Sequence, residues 1–377
     1  MKILIVAGYA ESLIRFRFEL IKSLIASGYE VCVACPEVDP DTEAKLLQKG
    51  VSVYDIPLQR TGVNPVSDTQ ALLALVKLMR GIKPDVFLAY TIKPVIYGLL
   101  AAGLAKVPKR FALITGLGYA FTGKAVGLRG GIRKIVQILY KTALNKADVV
   151  FFQNPDDKRL FKELGITNSA AETRVVNGSG VDISQYSMAP LPANPVFLLI
   201  ARLLGDKGVR EYAAAAKIVK QKYPEVSFNL VGWIDENPDA IQRQELDAWV
   251  SEGVIDFKGK LSDVRPAIAE SSVYVLPSYR EGLPKTLLEA CAAGVPIVTT
   301  DTTGCRDAVT DGENGFLVPV RSVAELASAL ERLINDPLLR RRMAAAGRKR
   351  AEMFFGSEQI CFETLTVYRD ALKLGEL

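Results

Sequence analysis

Histidine does not occur anywhere in the 377 residues. Its absence excludes Ser-His and Cys-His nucleophile systems, imidazole general bases and zinc sites built on imidazole. Cysteine is scarce: Cys32, Cys35, Cys291, Cys305 and Cys361 are scattered and odd in number, which offers no disulfide framework. Cys32 and Cys35 have redox-motif spacing, yet residues 30–35 read as a strand, where side chains three apart point to opposite faces. All five are expected as cytosolic core or near-surface thiols. Long apolar runs are missing as well. The longest uncharged apolar stretch near a helix, Pro94 to Ala105, has 12 residues and is too short to span a bilayer. Met1 leads straight into KILIVA, a strand pattern without a basic leader or cleavage site, so no secretory signal is expected.

What is present describes a folded chain. Apolar residues make up 49% and charged residues 24%, and the length calls for two domains. The formal charge of +5 hides an asymmetry. Residues 1–182 carry 24 Lys and Arg against 16 Asp and Glu; the remainder carries 23 against 26. Between Lys77 and Lys146 there are 13 basic residues and one acid, Asp85. A solvated surface mixes signs, so this block points to an anionic partner.

Short apolar strand candidates alternate with amphipathic helices along the whole chain. They are Ile3–Ala7, Val31–Ala34, Val51–Ile56, Val86–Ala89, Phe111–Ile114 and Val149–Phe152, then Val196–Ala201, Ser227–Val231, Ile255–Phe257, Val273–Leu276 and Ile297–Thr299. This alternation predicts parallel, doubly wound sheets covered by helices, with ligands at the edge where the strand-following loops gather. A Pro-rich polar connection, Ser184 to Pro195, separates two such halves. The expected domains are 1–185 and 186–356, with a helix over 357–377 packing back toward the first.

The stretch from Val275 to Val298 reads as strand, loop and helix N-terminus, which concentrates unpaired N–H groups and the positive dipole end where a phosphate can sit. Glu281 lies in the loop and Glu289 projects back from inside the helix toward the same end. Directly after the first strand of this half stand Arg202 and Lys207, five apart around Gly205, able to converge on one diphosphate. In the first half, Gly8 follows the first strand, where a missing Cβ admits a ligand. No G-x-G-x-x-G follows it. Arg15 and Arg17 come next; they could meet a phosphate or simply form a solvated helix face. The loops Thr91-Ile92-Lys93-Pro94 and Thr115-Gly116-Leu117-Gly118-Tyr119 fall at the same edge. Residues 127–146 read as a helix with Ile132, Ile135, Val136, Leu139 and Ala143 on one stripe and Arg129, Arg133, Lys134, Lys141 and Lys146 elsewhere. It is either a core helix with a basic outer face or a helix resting on anionic lipid headgroups, and the shared charge of the block favours lipid. Asp39-Pro40-Asp41 is read as helix capping rather than a metal pair, Ser322 to Glu325 as a capping box, and Arg340 to Arg342 as a solvated face.

Arg202 with Lys207, the Glu281-x7-Glu289 pair, Gly294 to Val298 and Asp311-Gly312-x2-Gly315-Phe316, in this order, resemble the retaining glycosyltransferases of family 4. Thr91-Ile92-Lys93-Pro94-x2-Tyr97-Gly98, Thr115 to Gly118 and Gly304-Cys305 resemble the subgroup that extends polyprenyl-diphosphate-linked sugars. The resemblance implies an α/β fold of two Rossmann-like domains facing across a cleft (GT-B), an N-terminal acceptor domain and a C-terminal nucleotide-sugar domain. It implies transfer, with retention and without a metal or other cofactor, of a sugar such as an N-acetylhexosamine from a UDP-sugar to a polyprenyl-diphosphate-linked saccharide, for bacterial surface or glycoprotein glycans. The partners it implies are the UDP-sugar, that acceptor and an anionic membrane surface on the inner face of the cytoplasmic membrane, with no nucleic acid. Arg202 and Lys207 would bind the diphosphate, Glu281 the transferred sugar and Glu289 the ribose. Gly282, Leu283, Pro284 and Lys285 would face the phosphates, and Gly8 would admit the diphosphate from the N-terminal side. Arg15, Arg17, Thr91, Lys93, Thr115, Gly116, Arg129, Arg133 and Lys134 would serve acceptor or membrane. One departure is the His that many relatives carry in the N-terminal active-site loop, absent here; no general base is named. The alternatives are the same chemistry on a soluble acceptor and a catalytically silent nucleotide-binding protein. Nucleotide-sugar 2-epimerases of related fold lean on His and acid pairs not found in this chain.

Overall fold

The structure is a computed structural model that describes residues 1–59, 64–117, 128–167, 171–192, 194–235 and 237–373. Its contacts divide the chain into two units, Met1–Ser179 with Ser357–Leu377, and Gly180–Gly356.

The first unit holds strands β1 (Lys2–Val6), β2 (Glu30–Cys35), β3 (Ser52–Asp55), β4 (Val86–Tyr90), β5 (Lys109–Ile114), β6 (Val149–Phe152) and β7 (Glu172–Val175). Between them run α1 (Glu11–Ala26), α2 (Pro40–Leu47), α3 (Pro65–Ile82), α4 (Ile92–Leu104), α5 (Leu128–Leu144) and α6 (Pro155–Glu163). The second holds β8 (Val196–Ile200), β9 (Ser227–Val231), β10 (Asp256–Gly259), β11 (Val273–Leu276), β12 (Ile297–Thr300) and β13 (Gly315–Val318). Its helices are α7 (Val209–Lys222), α8 (Arg243–Ser251), α9 (Arg265–Ala269), α10 (Lys285–Ala293), α11 (Val323–Asn335) and α12 (Pro337–Phe354). The last helix, α13 (Ser357–Lys373), belongs to the first unit.

Both sheets are parallel, in the orders β3-β2-β1-β4-β5-β6-β7 and β10-β9-β8-β11-β12-β13. Burial on both faces explains the near-continuous apolar strands. In each sheet the first strand pairs with the second on one side and the fourth on the other: Ile3 faces Val31 and Val86, and Phe197 faces Phe228 and Val273. In a sheet of this order the place for a ligand is at the carboxyl ends of the strands where the winding reverses, between β1 and β4 in one sheet and between β8 and β11 in the other.

Cys32 lies in the apolar layer on one side of the first sheet and Cys35 in the layer on the other, as the strand reading requires. All five thiols are buried. Asp39 caps α2, accepting from the Thr42 amide at 2.9 Å with Pro40 in the first turn, so the Asp39-Pro40-Asp41 run is a helix start. Asn64 with Pro65 and Asn154 with Pro155 start α3 and α6 in the same way. Cys361, Leu365, Tyr368 and Ala371 of α13 enter the core beside α1, and the Tyr368 ring stacks on Phe111 at 4.6 Å.

Four expectations change. β7, Glu-Thr-Arg-Val, is a polar edge strand without the apolar signal of its neighbours. Ser322 holds the cap position of α11, but its side chain makes no capping hydrogen bond, so the capping box is not formed. Arg340 is buried and donates to the carbonyls of Leu333 and Ile334, satisfying the end of α11, while Arg341 and Arg342 are exposed. On α5, Tyr140, Ala143 and Leu144 are buried, whereas Ile135 leaves the expected stripe and is 52% exposed beside Ile138 at 57%. No described helix is long and apolar enough to cross a membrane.

Candidate active site

In the second unit, β8 ends at Ile200 and the chain passes Arg202 into a short 3-10 turn, Gly205–Lys207. Gly208 closes that turn with φ +71°, and a Cβ there would lie 2.2 Å from the Pro277 carbonyl oxygen. Only glycine lets this loop lie against the one that follows β11. The Tyr279 amide donates to the Asp206 carbonyl at 2.8 Å and ties the two together. On the other side the Glu281 amide donates to Thr303, and Gly304, φ +80°, lets its backbone approach the carbonyls of Glu281 and Gly282. The Glu281 loop is thus held on both flanks by backbone.

This packing brings Lys207 and Glu281, 74 positions apart in sequence, into an ion pair of 2.5 Å with both side chains under one-fifth exposed. Burial pulls the Lys207 ammonium down, but Glu281, with Asp206, outweighs it and leaves Lys207 above its ordinary value. Arg202 sits at the same sheet edge and pairs with Asp235 at 3.0 Å. The two cations therefore gather at the β8–β11 crevice, each already held by a carboxylate. Asp206 lies within their field: burial raises its pKa, Lys207 opposes this, Glu281 and Asp239 reinforce it, and its Oδ1 is buried without a partner. Asp239 accepts from the Asp206 amide at 2.8 Å.

α10 begins at Lys285 behind Pro284, which occupies the cap position and has no side-chain acceptor to offer. Leu283 is buried under this turn. Glu289 is nearly buried one turn in, 3.7 Å from Lys285 and hydrogen-bonded by the Tyr186 phenol. Two clamped cations, a helix N-terminus and two carboxylates at one sheet edge can bind a diphosphate and hydroxyls at once. Asp235, Asp239 and Tyr186 were not anticipated. Asp235 and Asp239 follow β9 at the same edge, a placement the sequence carries; Tyr186 lies in the connection and carries no such signal.

The first unit places its candidates differently. Gly8 follows β1, and a Cβ on it would lie 2.9 Å from the Thr91 hydroxyl oxygen. Thr91 has φ +69° and ψ 163°, a conformation nearly confined to glycine that costs about 1–3 kcal/mol. Lys93 is paired with buried Asp68 at 2.7 Å. Arg15 pairs with Glu11 at 2.9 Å. Arg17 is buried, donates to the Phe16 carbonyl and lies 4.9 Å over the Tyr90 ring. Thr115 and Gly116 follow β5, with Gly116 at φ +139°. Gly118 and Tyr119, and the side chain of Arg129, lie outside the described residues. Arg133 is half-buried and Lys134 exposed on α5.

A family model described as glycosyl transferase 4-like matches residues 2–154, and one described as glycosyl transferases group 1 matches residues 194–336. The N,N'-diacetylbacillosaminyl-diphospho-undecaprenol α-1,3-N-acetylgalactosaminyltransferase of Campylobacter jejuni is 29% identical over 91% of this chain and 92% of its own. The UDP-Gal:α-D-GlcNAc-diphosphoundecaprenol α-1,3-galactosyltransferase of Escherichia coli is 26% identical over 85% of this chain and 84% of its own. The structure of a sucrose-phosphate synthase from Thermosynechococcus elongatus superposes with a TM-score of 0.82 at 19% identity, over 99% of this chain and 100% of that one. With each half matched to a glycosyltransferase model and relatives of the same kind aligned along nearly the whole length, the chain belongs to the glycosyltransferases and has their fold of two Rossmann-like domains.

Proposed function

We propose that this glycosyltransferase moves a sugar, an N-acetylhexosamine, from a UDP-sugar to a polyprenyl-diphosphate-linked saccharide, with retention at the anomeric carbon. The observation that carries the donor side is the Lys207–Glu281 pair beside Arg202 at the end of β8, in front of the uncapped start of α10. The acceptor class rests on the two bacterial relatives, both named for undecaprenyl-diphosphate-linked substrates.

As the bond between the anomeric carbon and UDP breaks, negative charge grows on the β-phosphate oxygen. Lys207 and Arg202, fixed before the substrate arrives, stabilise that charge without reorganising. Glu281 holds the Lys207 ammonium in place and offers its second oxygen to a sugar hydroxyl; Glu289, held by Lys285 and Tyr186, faces the ribose. The acceptor hydroxyl attacks from the face that UDP leaves, and its proton passes to the departing phosphate oxygen. Two clamped cations supply the charge a divalent ion would otherwise bring, so the reading includes no metal.

The surface reading belongs to α5. Ile135 and Ile138 stand exposed among Lys134 and Lys141, an apolar pair inside a basic face that suits the interface of an anionic leaflet on the cytoplasmic side. The test pairs UDP-GlcNAc, UDP-GalNAc, UDP-glucose and UDP-galactose with undecaprenyl-diphosphate-linked monosaccharides, with and without chelator, and reads the anomeric configuration of the product. Transfer with retention, unaffected by chelator, is expected from at least one N-acetylhexosamine donor. Inversion, or UDP release indifferent to every lipid acceptor, overturns the reading. Co-sedimentation with anionic vesicles at low salt, lost at high salt, is expected for the surface; equal pelleting with neutral vesicles refutes it.

A further inference from the structure

We propose that Asp68 is a positioning residue for the acceptor: through Lys93 and Tyr97 it clamps the turn between β4 and α4, holding Thr91 in its strained conformation against Gly8. The inference rests on the reading above, in which the first unit takes the lipid-linked saccharide.

Asp68 lies in the first turn of α3 and is 4% exposed. The Lys93 ammonium donates to one of its oxygens at 2.7 Å and the Tyr97 hydroxyl to the other at 2.8 Å. Lys93 and Tyr97 are one turn apart on α4, so a single carboxylate from a neighbouring helix fixes the start of α4 at two points. Immediately before that start stands Thr91 at φ +69°, with no side-chain hydrogen bond to the helix it precedes. A backbone conformation that an L residue avoids persists only where the surroundings over-determine it, and such positions gather at working sites.

The strained residue does not face away from the ligand-binding edge. Its hydroxyl oxygen fills the space beside Gly8, 2.9 Å from where a Cβ would stand, with Pro94 behind it at 3.7 Å. Gly8 and Thr91 flank the crevice between β1 and β4, the place where a sheet of this order receives its ligand. A chain of contacts therefore runs from a buried carboxylate to the mouth of the sheet. It presents a hydroxyl and a bare stretch of backbone, groups suited to the hydroxyl-rich saccharide and phosphate of the acceptor. Lys93, by this account, acts through the clamp rather than on the ligand.

A double-mutant cycle tests this. Glycine adopts φ +69° freely, so Thr91→Gly should make the clamp dispensable. Asp68→Asn is expected to raise the acceptor KM about tenfold while the UDP-sugar KM stays within about twofold. In the Thr91→Gly background the same change should cost less than about twofold, because coupled positions are not additive. Tyr97→Phe, which removes one hydrogen bond and keeps the ring, should shift the acceptor KM in the same direction and carries the test should Asp68→Asn fail to fold. Additive losses, or equal rises in both KM values, overturn the proposal. Should the unaltered enzyme bind UDP-sugar yet transfer to no lipid-linked acceptor, the reading of the reaction fails first. Melting temperatures of the same four proteins then show coupling or its absence, and coupling alone would mark a purely structural clamp and refute the acceptor role.

Discussion

Lys207 and Glu281 form the contact on which the donor reading turns. Lys207→Ala and Glu281→Ala are each expected to lower kcat by about 10²–10³, the usual cost of removing one preorganised charge-stabilising group. Steady-state assays at saturating UDP-sugar, with circular dichroism to verify folding, check this; rates within a few-fold of the original would move the chemistry elsewhere. Beside them, Asp206 makes a prediction about pH. Burial raises its pKa in the folded chain, so the native state holds that proton more tightly than the unfolded chain. Its contribution to stability is complete below the ordinary value of 3.8 and declines as pH rises through the folded value. Asp206→Asn should flatten that decline, measured as melting temperature against pH over the weakly acid range; a parallel decline in both proteins would contradict it.

At the scale of elements, Gly208 decides whether the β8 loop can meet the β11 loop. Gly208→Ala places a methyl 2.2 Å from the Pro277 carbonyl at a positive φ, and the conformation alone costs roughly 1–2 kcal/mol before the clash is counted. A lowered melting temperature together with lost UDP affinity is expected, both readable in one thermal-shift titration. The elements themselves were legible in the sequence because burial on two faces writes them as apolar runs of strand length: Val273–Leu276 is entirely buried and was placed to the residue. β7 was not, since an edge strand spelled Glu-Thr-Arg-Val carries no such signal. At the candidate site, the placement of Arg202, Lys207, Glu281 and Glu289 at one sheet edge is legible because each stands at a fixed offset from a strand end or helix start. Asp68 and Tyr186 are not, because a side-chain pair between distant elements leaves no periodic trace: Asp68 looks like any acid in a first helical turn. Arg17 illustrates the reverse. The sequence offers it as a phosphate ligand, and the fold lays it over Tyr90 inside the core.

At the scale of the whole chain, the first unit is made of two pieces. Removal of everything after Gly356 would strip Leu365, Tyr368 and Ala371 from the core that α1 and the sheet share with α13. Each large buried side chain contributes on the order of 1.5–3 kcal/mol, so the truncated protein is expected to lose the cooperative melt of the first unit while the second keeps its own. Differential scanning calorimetry of the two forms would show this, and an unchanged transition would refute it. The same arrangement has a consequence for synthesis. Domains ordinarily mature in the order they leave the ribosome, at about 5–20 residues per second. Here the opening lobe has to wait, one side of its sheet unsealed, while all of Gly180–Gly356 emerges, and the lobe translated second can reach its final form before the one translated first. Tyr368 and its neighbours act as a late closure, and the nascent chain is most exposed to misassociation and chaperone capture in the interval before they arrive.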